Sequence, residues 1–316
     1  MDFFPFWSEE VVIPIKNKIL YKILKKVIMK SRVLIDIFNR KSINRKMKNF
    51  DYEYVIIGGG ELLGGHKGFN SSLYIWTKLL KKRNIPVIIL GVSGDINMPK
   101  YMLRRNKKSL ESCKEIFVRD HYTSQICQKE YNIKTTYIPD VVFGLKSICK
   151  ISTDGNMKKN AVICVPIGYN EQIKKNLNIC SKEKYKEYLL NLITKNIYEN
   201  EEIIITSSVY NDEVFSKELY LYVKENLKKI NVLFVEYSNL ESYVKLTERA
   251  NVVISARMHA LILASLNECN VIPITFKEKL KYFYQEYGEK INVSEKENEV
   301  CSKLERIYKI IEDNED

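Results

Sequence analysis

Histidine, nucleotide-binding glycine fingerprints and long apolar runs are all scarce in this sequence, and each shortage removes a class of function. Only three histidines occur in 316 residues, His66, His121 and His259, with no HExxH pair and no EF-hand loop. A protein-built metal site is therefore not expected, nor is a resident cofactor. The seven cysteines (Cys113, Cys127, Cys149, Cys164, Cys180, Cys269 and Cys301) are odd in number and form no CxxC pair. That excludes a zinc ribbon and a disulfide framework, and reads as reduced, mostly buried thiols. No window approaches the roughly 18 to 20 apolar residues of a membrane span. Glu9 and Glu10 interrupt the N-terminal stretch where a signal peptide would be apolar. Residence in the cytoplasm is the expectation.

Acidic charge is almost missing from one segment. Residues 16–48 hold twelve Lys or Arg against Asp36 alone, a net +11 of the chain's +12, so the rest is close to neutral. A chain-wide basic footprint is absent, and nucleic acid is not expected as a partner. Within the segment, Ile15, Ile19, Leu20, Ile23, Leu24, Val27 and Ile28 fall on one helical face. Lys18, Lys22, Lys25, Lys26 and Lys30 fall largely on the other. Two readings stay open: a helix packed on the first domain with a solvated lysine face, or peripheral attachment to an anionic membrane surface at about 1 kcal/mol per cation.

What is plentiful is alternation. Apolar strands are expected at 52–60, 85–92, 114–120 and 134–143, with an amphipathic helix at 72–83. After a polar stretch at 146–160 carrying Asp154-Gly155, a second series follows. It has strands at 160–168, 201–208, 231–237, 251–255 and 270–276, and helices at 181–198, 211–229, 239–250 and 257–268. The pattern predicts an α/β protein of two Rossmann-like domains, 1–150 and 151–316, with a cleft between them and ligands at the carboxyl ends of strands.

Four places could carry chemistry. "GGGELLGG", Gly58 to Gly65, follows a strand directly, so Gly59 and Gly60 could bring backbone N–H groups close to an anion. It is not GxGxxG, and no acidic residue stands where a ribose would need one. In "VRDHYT", Arg119 ends a strand and could direct a donor fork at a carboxylate or phosphate, while Asp120 either caps the next helix or orients the arginine. In "VVISARMHALILASL", Ser255, Arg257 and His259 occupy a strand-to-helix turn, where backbone N–H groups and the helix dipole already favour an anion. His259 is a candidate proton donor or acceptor. Lys277 follows the last strand in "TFKEK".

The ordered set "VIIGGGELL", "FVRDHYTS", "YIPDVVF", "LTERANVVISARMHALILASL" and "PITFKEKLKYFYQEYG" resembles the polysaccharide pyruvyl transferase family, from about residue 51 to 288. The resemblance implies a GT-B-like fold. It also implies transfer of pyruvate from phosphoenolpyruvate to a sugar of a cell-surface polysaccharide or its lipid-linked precursor, closing a ketal across two hydroxyls. By the same resemblance, Arg119, Arg257 and Lys277 hold the donor and the Arg-x-His element supplies Arg257 and His259 to catalysis. Ser255, Gly59 and Gly60 complete the expected donor site. The chain departs from the family in beginning "MDFFPFWSEEVVIP", without an Asn-x-Gly-Asp turn, and in having "LGVSGDINMP" where relatives often carry a Gly-x-Gly-x-Gly-Pro-like turn. A nucleotide-sugar glycosyltransferase on the same fold and an idle scaffold in glycan assembly are the competing readings.

Overall fold

A computed structural model describes residues 31–49, 51–145, 147, 159–199, 201–288 and 290–312, together with Leu20 and Ile28. Most of the amphipathic segment expected at 15–30, and most of the polar stretch at 146–160, lie outside the described residues. The chain divides into two units. One runs to Asp140 and takes back the residues from Lys303 onward; the other is Val141–Ser302. The expectation drew its boundary at residue 150, where composition turns polar, and no local signal announces the return of the C-terminus.

In the first unit, α1 (Arg32–Lys46), β1 (Val55–Gly58), α2 (Lys67–Lys82), β2 (Val87–Val92), α3 (Lys100–Leu110), β3 (Glu115–Val118), α4 (His121–Ile126) and β4 (Thr136–Tyr137) follow in order. The four strands form one parallel sheet in the order β1-β2-β3-β4. Ile88 and Ile89 of the central β2 are wholly buried, each worth about 1.5–3 kcal/mol in transfer terms. The helix α3 was not among the expected elements. It buries Asn106 and Ser109 beside Met102 and Leu110, and Asn106 is satisfied there by Asn70 at 2.8 Å and by the Leu63 carbonyl at 3.3 Å. A buried polar helix face escapes hydrophobic periodicity. The strand expected at 134–143 is only two residues long. Pro139 brings no N–H to a ladder, and Val141–Gly144 turn into a 3-10 helix.

In the second unit, β5 (Ala161–Val165), α5 (Glu171–Asn176), α6 (Lys182–Asn196), β6 (Glu202–Thr206), α7 (Glu213–Asn226), β7 (Val232–Val235), α8 (Leu240–Thr247), β8 (Ala250–Ser255), α9 (Met258–Ser265), β9 (Asn270–Pro273), α10 (Glu278–Tyr287) and the start of α11 (Val293–Glu312) follow, α11 passing into the first unit at Lys303. The sheet is parallel throughout, in the order β7-β6-β5-β8-β9. Every residue of β5 and β6 is buried, as expected of strands covered by helices on both faces. The order reverses between β5 and β8, and the loops leaving those two strands diverge there to opposite faces. Whatever binds this unit has its natural seat at that divergence, between Val165 and Ser255. Among the described residues, no helix is long and apolar enough to cross a membrane.

Candidate functional site

At the carboxyl end of β8 the chain turns through Ala256 and Arg257 into α9. Ser255 ties the turn together: its hydroxyl donates to the Val165 carbonyl at 3.2 Å and accepts the Arg257 N–H at 2.9 Å. The Ala256 N–H continues the ladder onto Val165 at 3.2 Å. Ser255 is wholly buried, so its hydroxyl acts within the turn, fastening the two strands on either side of the switch point.

Arg257 stands at the N-cap of α9 in extended conformation, and its side chain makes no cap bond. The guanidinium is held by Asp212, with Nε at 3.0 Å and Nη2 at 2.5 Å from one carboxylate oxygen. Asp212 is itself buried, with 7% of its side chain exposed against 42% for Arg257. Its other oxygen accepts the Gly168 N–H from the loop after β5, at 3.3 Å. Among the described residues Nη1 of Arg257 has no partner, so the outward edge of a firmly placed cation faces solvent. His259, two residues on in the first turn of α9, is exposed.

A second cation repeats the pattern one strand over. The Ile274 N–H donates to the Ser255 carbonyl at 2.8 Å, keeping the segment after β9 against the turn. Asn176 of α5 clamps the Phe276 carbonyl at 2.7 Å. Lys277 then forms the N-cap of α10, again with no side-chain cap bond. Its ammonium lies 5.7 Å from the centre of the Phe276 ring. Three other helix starts in the unit follow the usual chemistry, Asn170, Ser181 and Asn239 each capping with their own side chain, while Asp212 at the start of α7 gives its carboxylate to Arg257 and Gly168 instead. Adjacent helices α9 and α10 instead begin with Arg and Lys, which the positive end of the helix dipole disfavours by about 0.3–1 kcal/mol each. Local rules broken side by side mark a place arranged for something other than stability. A cation at a helix N-terminus suits an anion, and two successive helices of this unit begin that way.

The other expected residues belong to the first unit. Gly59 and Gly60 follow β1 with φ of +90° and +64°, a region that non-glycine residues rarely enter. A Cβ on either would meet nothing within 4 Å, so conformation and not space requires glycine here. The Gly59 N–H is taken by the Leu90 carbonyl at 3.1 Å, extending the sheet by one residue, so it is not open to an anion as the glycine run suggests.

Arg119 directly follows β3, with only 5% of its side chain exposed. It donates to Asp140 at 2.8 Å and to the Ser93 hydroxyl at 3.0 Å. The Ser93 N–H donates in turn to the Gly60 carbonyl at 2.9 Å. One chain of bonds thus links the segments that leave β1, β2, β3 and β4. Asp120, for which two roles were open, caps α4 by accepting the Thr123 N–H at 2.6 Å. Burial pushes its pKa up, against the opposing effects of Thr123, Arg119 and His121.

Asp212, Asp140 and Ser93 are the residues that sequence reasoning missed. Asp212 sits six residues past β6, at a carboxyl end, which is the one signal that could have singled it out. Among the described residues no cluster of His, Cys, Asp or Glu could hold a metal ion.

The family model described as polysaccharide pyruvyl transferase matches residues 10–278. No curated protein matches the chain. Among solved structures, it is similar to UDP-GlcNAc 2-epimerase from Neisseria meningitidis bound to UDP-GlcNAc, with a TM-score of 0.54 and 13% identity over 89% of this chain and 83% of that one. UDP-GlcNAc 2-epimerase from Methanocaldococcus jannaschii gives a TM-score of 0.51 and 13% identity over 86% and 74%. Sucrose-phosphate synthase from Thermosynechococcus elongatus gives 0.50 and 11% over 96% and 82%. Identities this low speak to fold alone, and the fold is of the GT-B type, α/β with two Rossmann-like domains.

Proposed function

The chain belongs to the polysaccharide pyruvyl transferase family, and we propose on that premise that it moves the pyruvyl group of phosphoenolpyruvate onto two hydroxyls of one sugar. The acceptor is a cell-surface polysaccharide or its lipid-linked precursor, and the product is a cyclic ketal. In the transfer, carbon 3 of the enol gains a proton and two bonds form from carbon 2 to sugar oxygens. The bond from carbon 2 to the phosphate oxygen breaks, and the two hydroxyl protons end on carbon 3 and on the departing phosphate.

The observation that carries this reading is the pair of cationic N-caps, Arg257 and Lys277, at the switch-point end of the second unit. The donor brings a phosphate and a carboxylate, and cations on two helix starts supply opposite charge where the dipoles already favour it. Arg257, anchored by Asp212, reaches the donor with a preset guanidinium, which lowers the ordering cost of binding. His259, exposed on the same turn, is the acid that protonates carbon 3. Ser255, buried and already bonded, supports the turn that presents Arg257 and His259.

Calorimetry with phosphoenolpyruvate and with a panel of nucleotide sugars tests the proposal. Binding of phosphoenolpyruvate, followed by acceptor-dependent phosphate release, supports it. Binding of a nucleotide sugar alone would make the chain a glycosyltransferase, and binding of neither would leave a scaffold.

A further inference from the structure

The helix α1 has an outer face that no part of the donor chemistry explains. Its inner face packs Ile35, Asn39 and Ile43 into the first unit. Asn39 donates to the Gly68 carbonyl at 3.2 Å, and Asp36 accepts from Ser71 at 2.6 Å and from both terminal nitrogens of Arg105. These bonds take up the one acidic residue of the segment on the inner side. On the outer side, Val33 and Ile37 are 64% and 55% exposed, about one turn apart. Past them lies a shallow, open groove of about 460 Å³ whose described lining residues are Ile37, Arg40, Lys41, Asn44, Arg45 and Lys48. Arg40, Lys41, Arg45 and Lys48 are all exposed, and long cationic side chains of this kind can lay aliphatic stems on an apolar surface while their charged ends stay in water.

We infer that this face of α1 docks on an anionic lipid bilayer, with Val33 and Ile37 entering the headgroup boundary and Arg40, Lys41, Arg45 and Lys48 meeting lipid phosphates. Four cations with no acid among the groove-lining residues are complementary to an anionic leaflet, and exposed aliphatic residues at one end give the shallow apolar contact of an interfacial helix. A polynucleotide would use the charge but not the aliphatic residues, and the strip offers no aromatic platform on which bases could stack. A second copy of the same face would be repelled by its like charge. Because this docking involves none of the donor-site residues, it stands or falls separately from the transferase reading.

Co-sedimentation of the full chain with phosphatidylcholine vesicles, with and without phosphatidylglycerol, tests it in the absence of donor. Binding to phosphatidylglycerol vesicles at low salt, release at high salt and no binding to pure phosphatidylcholine are expected. Replacing Arg40, Lys41, Arg45 and Lys48 together by glutamine should lower partitioning by about 10²-fold or more, at roughly fivefold per cation. The substitutions Val33→Ser and Ile37→Ser should lower it by about tenfold. All six residues are exposed, and melting at the parental temperature shows that the variants fold. Parental partitioning in the glutamine variant would overturn the inference. So would complete loss of binding on changing Lys18, Lys22, Lys25 and Lys26 to glutamine while the α1 variant still binds. Equal binding to both vesicle types, or capture by heparin with no vesicle binding, would overturn it as well.

Discussion

Replacing Arg257 by alanine should do two separable things. Asp212, 7% exposed, loses both guanidinium bonds and keeps the Gly168 N–H at 3.3 Å. Removing one partner of a fully buried pair costs about 3–5 kcal/mol. Here the guanidinium is 42% exposed, so water already reaches the pair, and about 1–3 kcal/mol is the appropriate range. At roughly 2–4 °C per kcal/mol for a domain of this size, Tm should fall by about 2–12 °C. Donor affinity should also fall, by about 2–5 kcal/mol if the contact is a desolvated charge pair, raising Kd at least 30-fold. The double variant Arg257→Ala, Asp212→Asn separates the effects. Neutral asparagine leaves no uncompensated charge and keeps an acceptor for Gly168, so stability recovers while phosphoenolpyruvate affinity does not. Calorimetric Tm and isothermal titration of phosphoenolpyruvate on the parent, both single variants and the double variant give a complete cycle. A parental Tm for Arg257→Ala would refute the stabilising role of the pair. Recovered affinity in the double variant would refute Arg257 as a donor ligand.

His259→Ala should fold and bind phosphoenolpyruvate like the parent but lose turnover by a factor of about 10²–10⁴; near-parental turnover with acceptor saturated would remove it from the proton step. Arg119→Ala should be the more damaging arginine substitution for stability, by about 3–5 kcal/mol, because both partners of its pair are buried; urea unfolding that matches Arg257→Ala would show that burial does not set the difference. Lysine at either position should rescue only in part, since a point charge cannot reproduce a two-pronged donor. On the proposed reading side-chain cations take the role of a divalent ion, so activity should survive a chelator; loss on chelation with recovery by Mg²⁺ would favour a nucleotide-sugar donor.

Several features of the fold were open to reading along the chain. Runs such as "VIIL" and "AVICV" are too apolar for half-buried strands, so a parallel sheet covered on both sides follows from composition and length alone. The turn after β8 was equally visible, because an arginine and a histidine interrupt an apolar strand and an apolar helix at their junction. Where local reading failed, the reason lay in partners distant in sequence. The helix α3 was hidden because its inward residue, Asn106, is polar and becomes acceptable only when Asn70 and the Leu63 carbonyl meet it.

By itself, then, the sequence determined the α/β class, the succession of strands in each unit, and the placing of cations at strand ends. Side-chain period and turn chemistry are properties of neighbouring residues, so they survive without the fold. Only the tertiary structure decided which strands adjoin. By placing β5 between β6 and β8 it put Asp212 on Arg257, 45 residues away, and Ser255 on Val165, 90 residues away. The same step buried Arg119 against Asp140, turning an expected anion clamp into a brace across the strand ends. A charge's role depends on what desolvates and opposes it, and that is settled by contacts between segments that the chain itself keeps far apart.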